Sequence, residues 1–249
     1  TEYTQVAMVT ACLAMTRAVE AMGLQADMTA GLSLGEYCAI AAAGGMCDMD
    51  AVRTVRSRGI FMEHAAPEGT GAMSAVLGLE ASVIEEILNG REGVSIANYN
   101  CPGQIVITGQ AEAVAKAGAA LKEAGARRVL PLKVSGPFHS PMMRPAGEEL
   151  AKVFAGVSMN PLRIPYVANI NAEVISDCNK IEELLVAQVS GSVRWQQSVE
   201  TMIREGVDTF IEIGPGKTLT GFLRKIDKNV KAYHIGSWEE AVQVCEELK

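Results

Sequence analysis

The chain has 249 residues and a formal net charge of −7; 49% of its residues are hydrophobic and 20% are charged. This balance predicts a globular protein with a sizeable core, in one large domain or two. The acidic charge argues against nucleic acid or an anionic membrane as partner, and the longest apolar run is too short to cross a bilayer. Six cysteines without Cys-x-x-Cys pairing favour a reduced, cytoplasmic protein over a disulfide framework or a zinc site.

The first predicted elements lead into a tight turn that carries a serine. Residues 3–22 predict a helix that is apolar nearly all round and therefore buried. A short extended run at residues 28–30 enters Gly31-Leu32-Ser33-Leu34-Gly35, and good helix formers follow. This order of strand, Gly-x-Ser-x-Gly and helix is typical of a nucleophile elbow, a sharp turn that exposes a serine Oγ.

Ser33 is therefore the candidate nucleophile, although glycine and serine are also common in ordinary turns. A backbone bent this sharply passes close to its neighbours, so we expect that a Cβ would collide at either Gly31 or Gly35. The N-terminus of the following helix carries partial positive charge, and the N–H of Leu34 is placed to bind an oxyanion.

A helix predicted over residues 48–63 carries three arginines. At about 100° per residue, Arg53 lies far from the apolar stripe of this helix, whereas Arg56 and Arg58 both flank it. Most such arginines are solvated, but one at the edge of a buried face can enter a pocket and bind a carboxylate bidentately. The periodicity does not choose between Arg56 and Arg58.

A small inserted domain is predicted over residues 66–134. Its pattern is β-α-β-β-α-β, the plan of ferredoxin-like domains, with elements over residues 69–79, 81–88, 94–98, 104–108, 112–124 and 127–134. Residues 1–65 and 135–249 are predicted to form a large α/β catalytic domain. We expect this domain to be α/β-hydrolase-like, because the nucleophile elbow is typical of that fold. Strands that alternate with helices in this domain predict a parallel sheet covered on both faces.

His139 is the candidate base among three histidines. It lies in the Gly136–Pro141 segment, where the small domain returns to the large one, and ligands usually bind in such clefts. His64 ends a surface helix, and His234 sits in a late strand. The alternative for His139 is a loop histidine bonded only to backbone, whereas a base must reach within hydrogen-bonding distance of Ser33.

Six sequence blocks occur in order along nearly the whole chain: Gly31-Leu32-Ser33-Leu34-Gly35-Glu36, Arg58-Gly59-Ile60-Phe61-Met62, Gly69-Thr70-Gly71-Ala72-Met73, Asn98-Tyr99-Asn100-Cys101-Pro102-Gly103-Gln104, Gly136-Pro137-Phe138-His139-Ser140 and Glu212-Ile213-Gly214-Pro215-Gly216-Lys217-Thr218-Leu219. Together they resemble malonyl-CoA:acyl carrier protein transacylases of type II fatty acid synthesis, and the related acyltransferase domains of polyketide synthases. The ordered set is far more specific than any one of its motifs.

The resemblance implies a role for each candidate residue. Ser33 would take the malonyl group, His139 would act as base and then acid, and Arg58 would bind the free malonyl carboxylate. Leu34 would donate an oxyanion N–H, a backbone carbonyl on Arg194 would orient the histidine, and Phe138 would leave no room for an α-methyl group. The positions implied at the mouth where coenzyme A lies are Asn98, Asn100, Gln104, Arg127 and Arg128.

The implied reaction passes malonyl from coenzyme A to the phosphopantetheine thiol of acyl carrier protein through a malonyl-serine, in fatty acid biosynthesis. No cofactor or metal is expected, and the partners are malonyl-CoA and acyl carrier protein. The resemblance also implies an acidic carrier protein, so we expect it to dock on a basic cluster, Arg127, Arg128, Lys133 and Arg144. The alternatives are a Ser–His ester or thioester hydrolase, and an inactive fragment of the transacylase.

Two features depart from the family pattern. Leu32 stands where the family usually has histidine just before the serine. The family also begins with a strand and a Gly-Gln-Gly-x-Gln loop, which supplies a second oxyanion N–H, and these 249 residues contain no match to it. Loss of one such donor typically costs about 10²–10³ in rate, so we expect these residues alone to be poorly active and a neighbouring strand to be left unpaired.

Overall fold

The computed structural model describes residues 2–248, which form both helices and strands. The helices are α1 (Glu2–Ala21), α2 (Gly35–Ala42), α3 (Asp48–His64), α4 (Ala81–Leu88), α5 (Ala111–Glu123), α6 (Arg144–Phe154), α7 (Ile181–Ser190), α8 (Trp195–Arg204), α9 (Thr218–Ile226) and α10 (Trp238–Glu247). The strands are β1 (Thr29–Ala30), β2 (Gly71–Leu77), β3 (Val94–Cys101), β4 (Gln104–Gln110), β5 (Arg128–Pro131), β6 (Tyr166–Val167), β7 (Val174–Ile175), β8 (Thr209–Ile213) and β9 (Lys231–Ile235).

Strands β2 to β5 form one antiparallel sheet in the order β3-β4-β2-β5, and the predicted β-α-β-β-α-β succession is present. Apolar side chains of α4 and α5, such as Ile84 and Leu121, pack on one face of this sheet. On the other face Met73 and Val106 contact Phe138, the residue before His139. The sheet therefore supports the loop that carries the candidate base.

The remaining strands form two smaller sheets. The prediction of a parallel sheet is wrong for one strand pair. Strand β1 pairs with β6 in parallel, as β8 does with β9, but β7 runs antiparallel to β6. The segment between β6 and β7, residues 168–173, is too short for the crossover that parallel neighbours require. The chain is therefore an α/β protein with mixed sheets.

The largest core cluster lies among α1, α2, α3, α6 and α7 and includes the fully buried Tyr37, Ile40 and Leu150. The prediction that helix α1 is buried on all sides is wrong. Only one stripe of the helix, which includes Val9 and Leu13, faces this core. Within residues 2–248 no helix combines the length and the apolar character needed to cross a membrane.

Candidate active site

Ser33 lies on the turn between β1 and α2, where its backbone φ of 51° falls in the left-handed region. Non-glycine residues seldom adopt this conformation, and it recurs at strained functional turns. A Cβ added at Gly31 would lie 2.0 Å from the carbonyl carbon of Gly35, whereas one at Gly35 would meet nothing within 4 Å. The predicted steric need for glycine is therefore right at Gly31 and wrong at Gly35.

His139 meets Ser33 although 106 residues separate them, with 2.8 Å between Oγ and Nε2. The other ring nitrogen, Nδ1, lies 2.8 Å from the backbone oxygen of Gln188. A carbonyl oxygen can only accept, so Nδ1 carries the proton and Nε2 presents its lone pair to the serine hydroxyl. This tautomer suits a general base.

The carbonyl that orients the histidine belongs to Gln188 and not, as expected, to Arg194. The Arg194 oxygen instead accepts hydrogen bonds from the N–H and hydroxyl of Ser198 in the first turn of α8. A residue at a helix N-cap gives its carbonyl to the helix. Gln188 lies near the end of α7, where the last carbonyls of a helix have no intrahelical partner and are open to other donors.

Arg58, and not Arg56, enters the site. The residue is 2% exposed, and its guanidinium donates to Gln5 Oε1 at 2.6 Å, to Gln188 Oε1 at 3.0 Å and to Ser33 Oγ at 3.1 Å. No carboxylate in the described part of the chain forms an ion pair with it. Arg56 instead pairs with Glu2 at the surface. The charge of Arg58 is therefore available to an anionic group beside Ser33.

Four further side chains complete the site, and sequence reasoning gave none of them a role. They are Gln5 from α1, Glu36 from α2, Asn169 from the β6–β7 segment and Gln188 from α7. Asn169 accepts from the backbone N–H of Ser33 and donates to the carbonyl oxygen of Gly31 at 2.8 Å, which holds the elbow from both sides. Glu36 was visible inside the serine motif, whereas the other three carried no local signal.

The imidazole of His139 is neutral under ordinary conditions. Burial lowers its pKa to about 4, and the nearby positive charge of Arg58 acts in the same direction. Its folded-state pKa lies below the usual value of about 6.5, so the stability linked to this group is present above that pH and is lost as the pH falls toward the lower value.

We therefore expect acylation of Ser33 to stay level as the pH falls from roughly 7 to 5, since His139 remains an unprotonated base. Quenched-flow measurement of the acyl-enzyme, with circular dichroism at each pH to correct for unfolded protein, checks this. A decline with a midpoint near 6.5, the usual histidine value, would contradict the lowered pKa.

Two predicted residues adjoin the site. The N–H of Leu34 follows Ser33 and donates to no acceptor within residues 2–248, so it is open to an oxyanion. Phe138 is half-buried between the large core and the four-stranded sheet, next to the base.

Five other predicted residues lie in the four-stranded sheet or, for Arg127, directly before its strand β5, and none has a hydrogen bond or ion pair to Ser33, Arg58 or His139 in the described chain: Asn98, Asn100, Gln104, Arg127 and Arg128. The two asparagines are buried in β3, and both arginines are exposed. Gln104 and Arg128 flank Leu77 on opposite sides, at one end of the sheet. Their part in substrate binding stays a prediction.

Comparison with known proteins identifies the family. The family model "Acyl transferase domain" matches residues 1–244. A malonyl CoA-acyl carrier protein transacylase of Bacillus subtilis (strain 168) is 43% identical over 249 residues, covering 98% of this chain and 78% of the relative. The enzyme of that name from Escherichia coli (strain K12) is 46% identical over 227 residues, covering 90% of this chain and 74% of the relative. The chain belongs to the malonyl CoA-acyl carrier protein transacylase family.

A solved structure of this family agrees with the fold. It is a malonyl-transacylase in complex with a type II PKS acyl-carrier protein, and it is similar to this chain with a TM-score of 0.94 and 39% identity, covering 99% of this chain and 81% of that one. Leu32, which stands where the transacylase family usually has histidine, packs against the apolar cluster around Trp195. The departure from the family pattern therefore adds an apolar contact beside the elbow.

Proposed function

We propose that this chain transfers a malonyl group from coenzyme A to the phosphopantetheine thiol of acyl carrier protein, in fatty acid biosynthesis. The observation that carries the proposal is the position of Ser33 Oγ, within hydrogen-bonding distance of both His139 Nε2 and the Arg58 guanidinium. A nucleophile paired with a base can carry out acyl transfer, and the adjacent cation, which forms no ion pair with a carboxylate among residues 2–248, favours an acyl group that ends in a carboxylate.

In the first half-reaction His139 Nε2 takes the proton of Ser33 as Oγ attacks the thioester carbon of malonyl-CoA. The tetrahedral oxyanion accepts a hydrogen bond from the Leu34 N–H. The carbon–sulfur bond then breaks, the proton on Nε2 passes to the departing sulfur, and free coenzyme A leaves malonyl esterified to Ser33. Throughout, Arg58 holds the distal carboxylate and so keeps the thioester carbon next to Oγ.

The second half-reaction repeats these steps in reverse. The carrier thiol gives its proton to His139 and attacks the ester, and Ser33 Oγ recovers a proton as the new thioester forms. One thioester replaces another, so the exchange is nearly isoenergetic, and exclusion of water is the main requirement once the ester exists. The burial of His139 and Arg58 supports that exclusion.

Incubation of the chain with malonyl-CoA should produce a covalent adduct with the mass of one malonyl group on Ser33. Addition of acyl carrier protein should then remove this adduct and malonylate the carrier. Intact-protein mass spectrometry with peptide mapping checks both steps, and Ser33→Ala is the control that should remain unlabelled. Absence of label on the native chain, or label elsewhere, would refute the proposed role of Ser33.

We also propose that the chain is divided into two domains. Residues 66–134 are proposed as a ferredoxin-like domain, supported by the strand order β3-β4-β2-β5 and by the core this sheet shares with α4 and α5. Residues 1–65 and 135–249 are proposed as an α/β-hydrolase-like catalytic domain, supported by the elbow at Ser33 between β1 and α2. The site then lies where the two meet, at the segment of Phe138 and His139.

The proposed reaction uses no cofactor, because the acyl group arrives already activated as a thioester. We also propose a cytoplasmic location. The six cysteines, which all lie in the described residues, are free thiols, and a reducing compartment would keep them so.

Docking of the acidic carrier is proposed at the basic cluster of Arg127, Arg128, Lys133 and Arg144, all of which are exposed. Reversal of charge in Arg127→Glu/Arg128→Glu should raise KM for acyl carrier protein several-fold while leaving KM for malonyl-CoA nearly unchanged, since opposite charges speed association. Steady-state kinetics at two ionic strengths measures this, with Lys122→Glu/Lys152→Glu as the matched control. An unchanged KM for the carrier rejects the cluster as the docking surface.

A further inference from the structure

Glu36 is a fully buried carboxyl group that the proposed chemistry leaves unused. Both of its oxygens lie 3.3 Å from the backbone N–H of Asn169, and Oε2 accepts from Gln188 Nε2 at 2.7 Å. Burial raises its pKa to about 8, and the hydrogen bonds from Gln188 and Asn169 with the charge of Arg58 act against that rise. A protonated carboxyl group would need an acceptor for its O–H, but every hydrogen-bond partner of Glu36 among residues 2–248 is a donor, so the geometry favours the carboxylate despite the raised pKa.

The carboxamide of Gln188 connects Glu36 to the rest of the site. Its Nε2 donates to Glu36 and, at 2.8 Å, to the backbone oxygen of Ser33, while its Oε1 accepts from Arg58 at 3.0 Å. If the amide turned over, its N–H groups would face the guanidinium and its oxygen would face the carboxylate. Both new contacts would leave buried polar groups unpaired, so Glu36, together with the backbone oxygen of Ser33, fixes which way this amide points.

The guanidinium of Arg58 depends on that orientation. Amide oxygens of Gln5 and Gln188 hold it from two nitrogens, and neither oxygen carries a formal charge. A carboxylate in direct contact would satisfy Arg58 by itself and would compete with the carboxylate of a substrate. With Gln188 between them, Glu36 compensates the buried cation from a distance and leaves its ion-pairing capacity unused.

We propose that Glu36 is a positioning residue that acts through the Gln188 carboxamide to hold the Arg58 guanidinium ready for the acyl carboxylate. This inference rests on the proposed malonyl transfer, because it concerns the same cation. It makes the preference for malonyl over acetyl depend on a side chain that touches neither acyl group.

The test variant is Glu36→Gln, which has nearly the same shape but only one acceptor oxygen. That oxygen serves either Asn169 or Gln188, and the new NH₂ group faces a donor on the other side. Either the Gln188 amide turns over or a buried donor stays unpaired, and both outcomes disturb Arg58. Competition between malonyl-CoA and acetyl-CoA for the enzyme, read by intact mass as the ratio of malonyl to acetyl adducts, should show a fall of about 10- to 100-fold.

The matched control is Glu212→Gln. Glu212 also accepts backbone N–H groups, those of Leu219 and Thr220, but it does so at the start of α9. Its replacement should lower thermal stability without changing the adduct ratio. A general loss of packing at Glu36 would likewise lower stability and leave the ratio of the folded enzyme unchanged, and that result would overturn the positioning role.

A second variant keeps the test decisive if Glu36→Gln does not fold. Gln188→Met removes the amide at similar length and should lower the malonyl-to-acetyl ratio by a comparable factor; an unaltered ratio overturns the proposal. In the Gln188→Met background, adding Glu36→Gln should have no further effect on the ratio, whereas an additive effect means that Glu36 does not act through Gln188. A native chain that accepts neither acyl group refutes the proposed function itself, and a native preference that Glu36→Gln retains refutes only the positioning role.

Discussion

Arg58→Met is expected to lower kcat/KM for malonyl transfer by about 10²–10³-fold, because the acyl carboxylate would enter a buried site without its cation, and an unpaired buried charge costs several kcal/mol. Methionine keeps much of the arginine's length, so the cavity left in the core is small. Transfer of acetyl, which has no carboxylate, should rise or stay constant, since the native enzyme leaves the guanidinium facing a neutral group. Single-turnover kinetics with the two thioesters measures both changes.

Arg56→Met is the matched control on the same helix. Arg56 pairs with Glu2 at the surface and stacks on Tyr3, with its guanidinium carbon 4.7 Å from the ring centre, so its loss should leave the malonyl-to-acetyl ratio intact. The experiment also separates the transacylase from a Ser–His hydrolase. A hydrolase would cleave simple esters as well after Arg58→Met as before, and an unchanged malonyl rate would contradict the proposed carboxylate site.

The sequence predicted the parts of the site that depend on local chemistry. The elbow around Ser33 is predictable from the sequence because strand, glycine, serine and helix follow one another within a few residues. The turn that they predict is present. His139 was chosen because it lies at the return from the small domain, which is an argument about chain order. The choice of Arg58 over Arg56 came from the family resemblance, since the helical periodicity left both open.

The parts that sequence reasoning missed depend on contacts between distant segments. Gln188 lies 155 residues from Ser33 yet donates to its carbonyl, and Asn169 binds the elbow across 138 residues. A glutamine near the end of a helix looks like any solvated polar residue until the fold buries it. The same limit explains the error at Arg194, because which carbonyl reaches the imidazole depends on how α7 and α8 pack.

The fold, like the site, was predictable where the signal is local and not where it depends on contacts between distant segments. Helix and strand positions came from short-range periodicity, and most of them are present with changes of a few residues at their ends. The direction of β7 was not predictable from alternation alone, since a two-residue strand leaves almost no periodic signal. Helix α1 shows the opposite problem, because small apolar residues such as Ala7 and Ala14 are tolerated at the surface and do not prove burial.

His139→Ala is expected to slow acylation of Ser33 by about 10²–10⁴-fold, the usual contribution of a positioned base. The hydroxyl would keep its proton until the attack, and the departing sulfur would lack a proton donor, so both half-reactions should slow together. His64→Ala, an exposed histidine at the end of α3, is the control and should be silent. Equal losses in acylation by malonyl-CoA and in transfer to acyl carrier protein distinguish a shared acid and base from a binding residue, which would affect one substrate. A variant that acylates at the native rate would mean that the left-handed turn at Ser33, the Leu34 N–H and the Arg58 charge suffice without the imidazole.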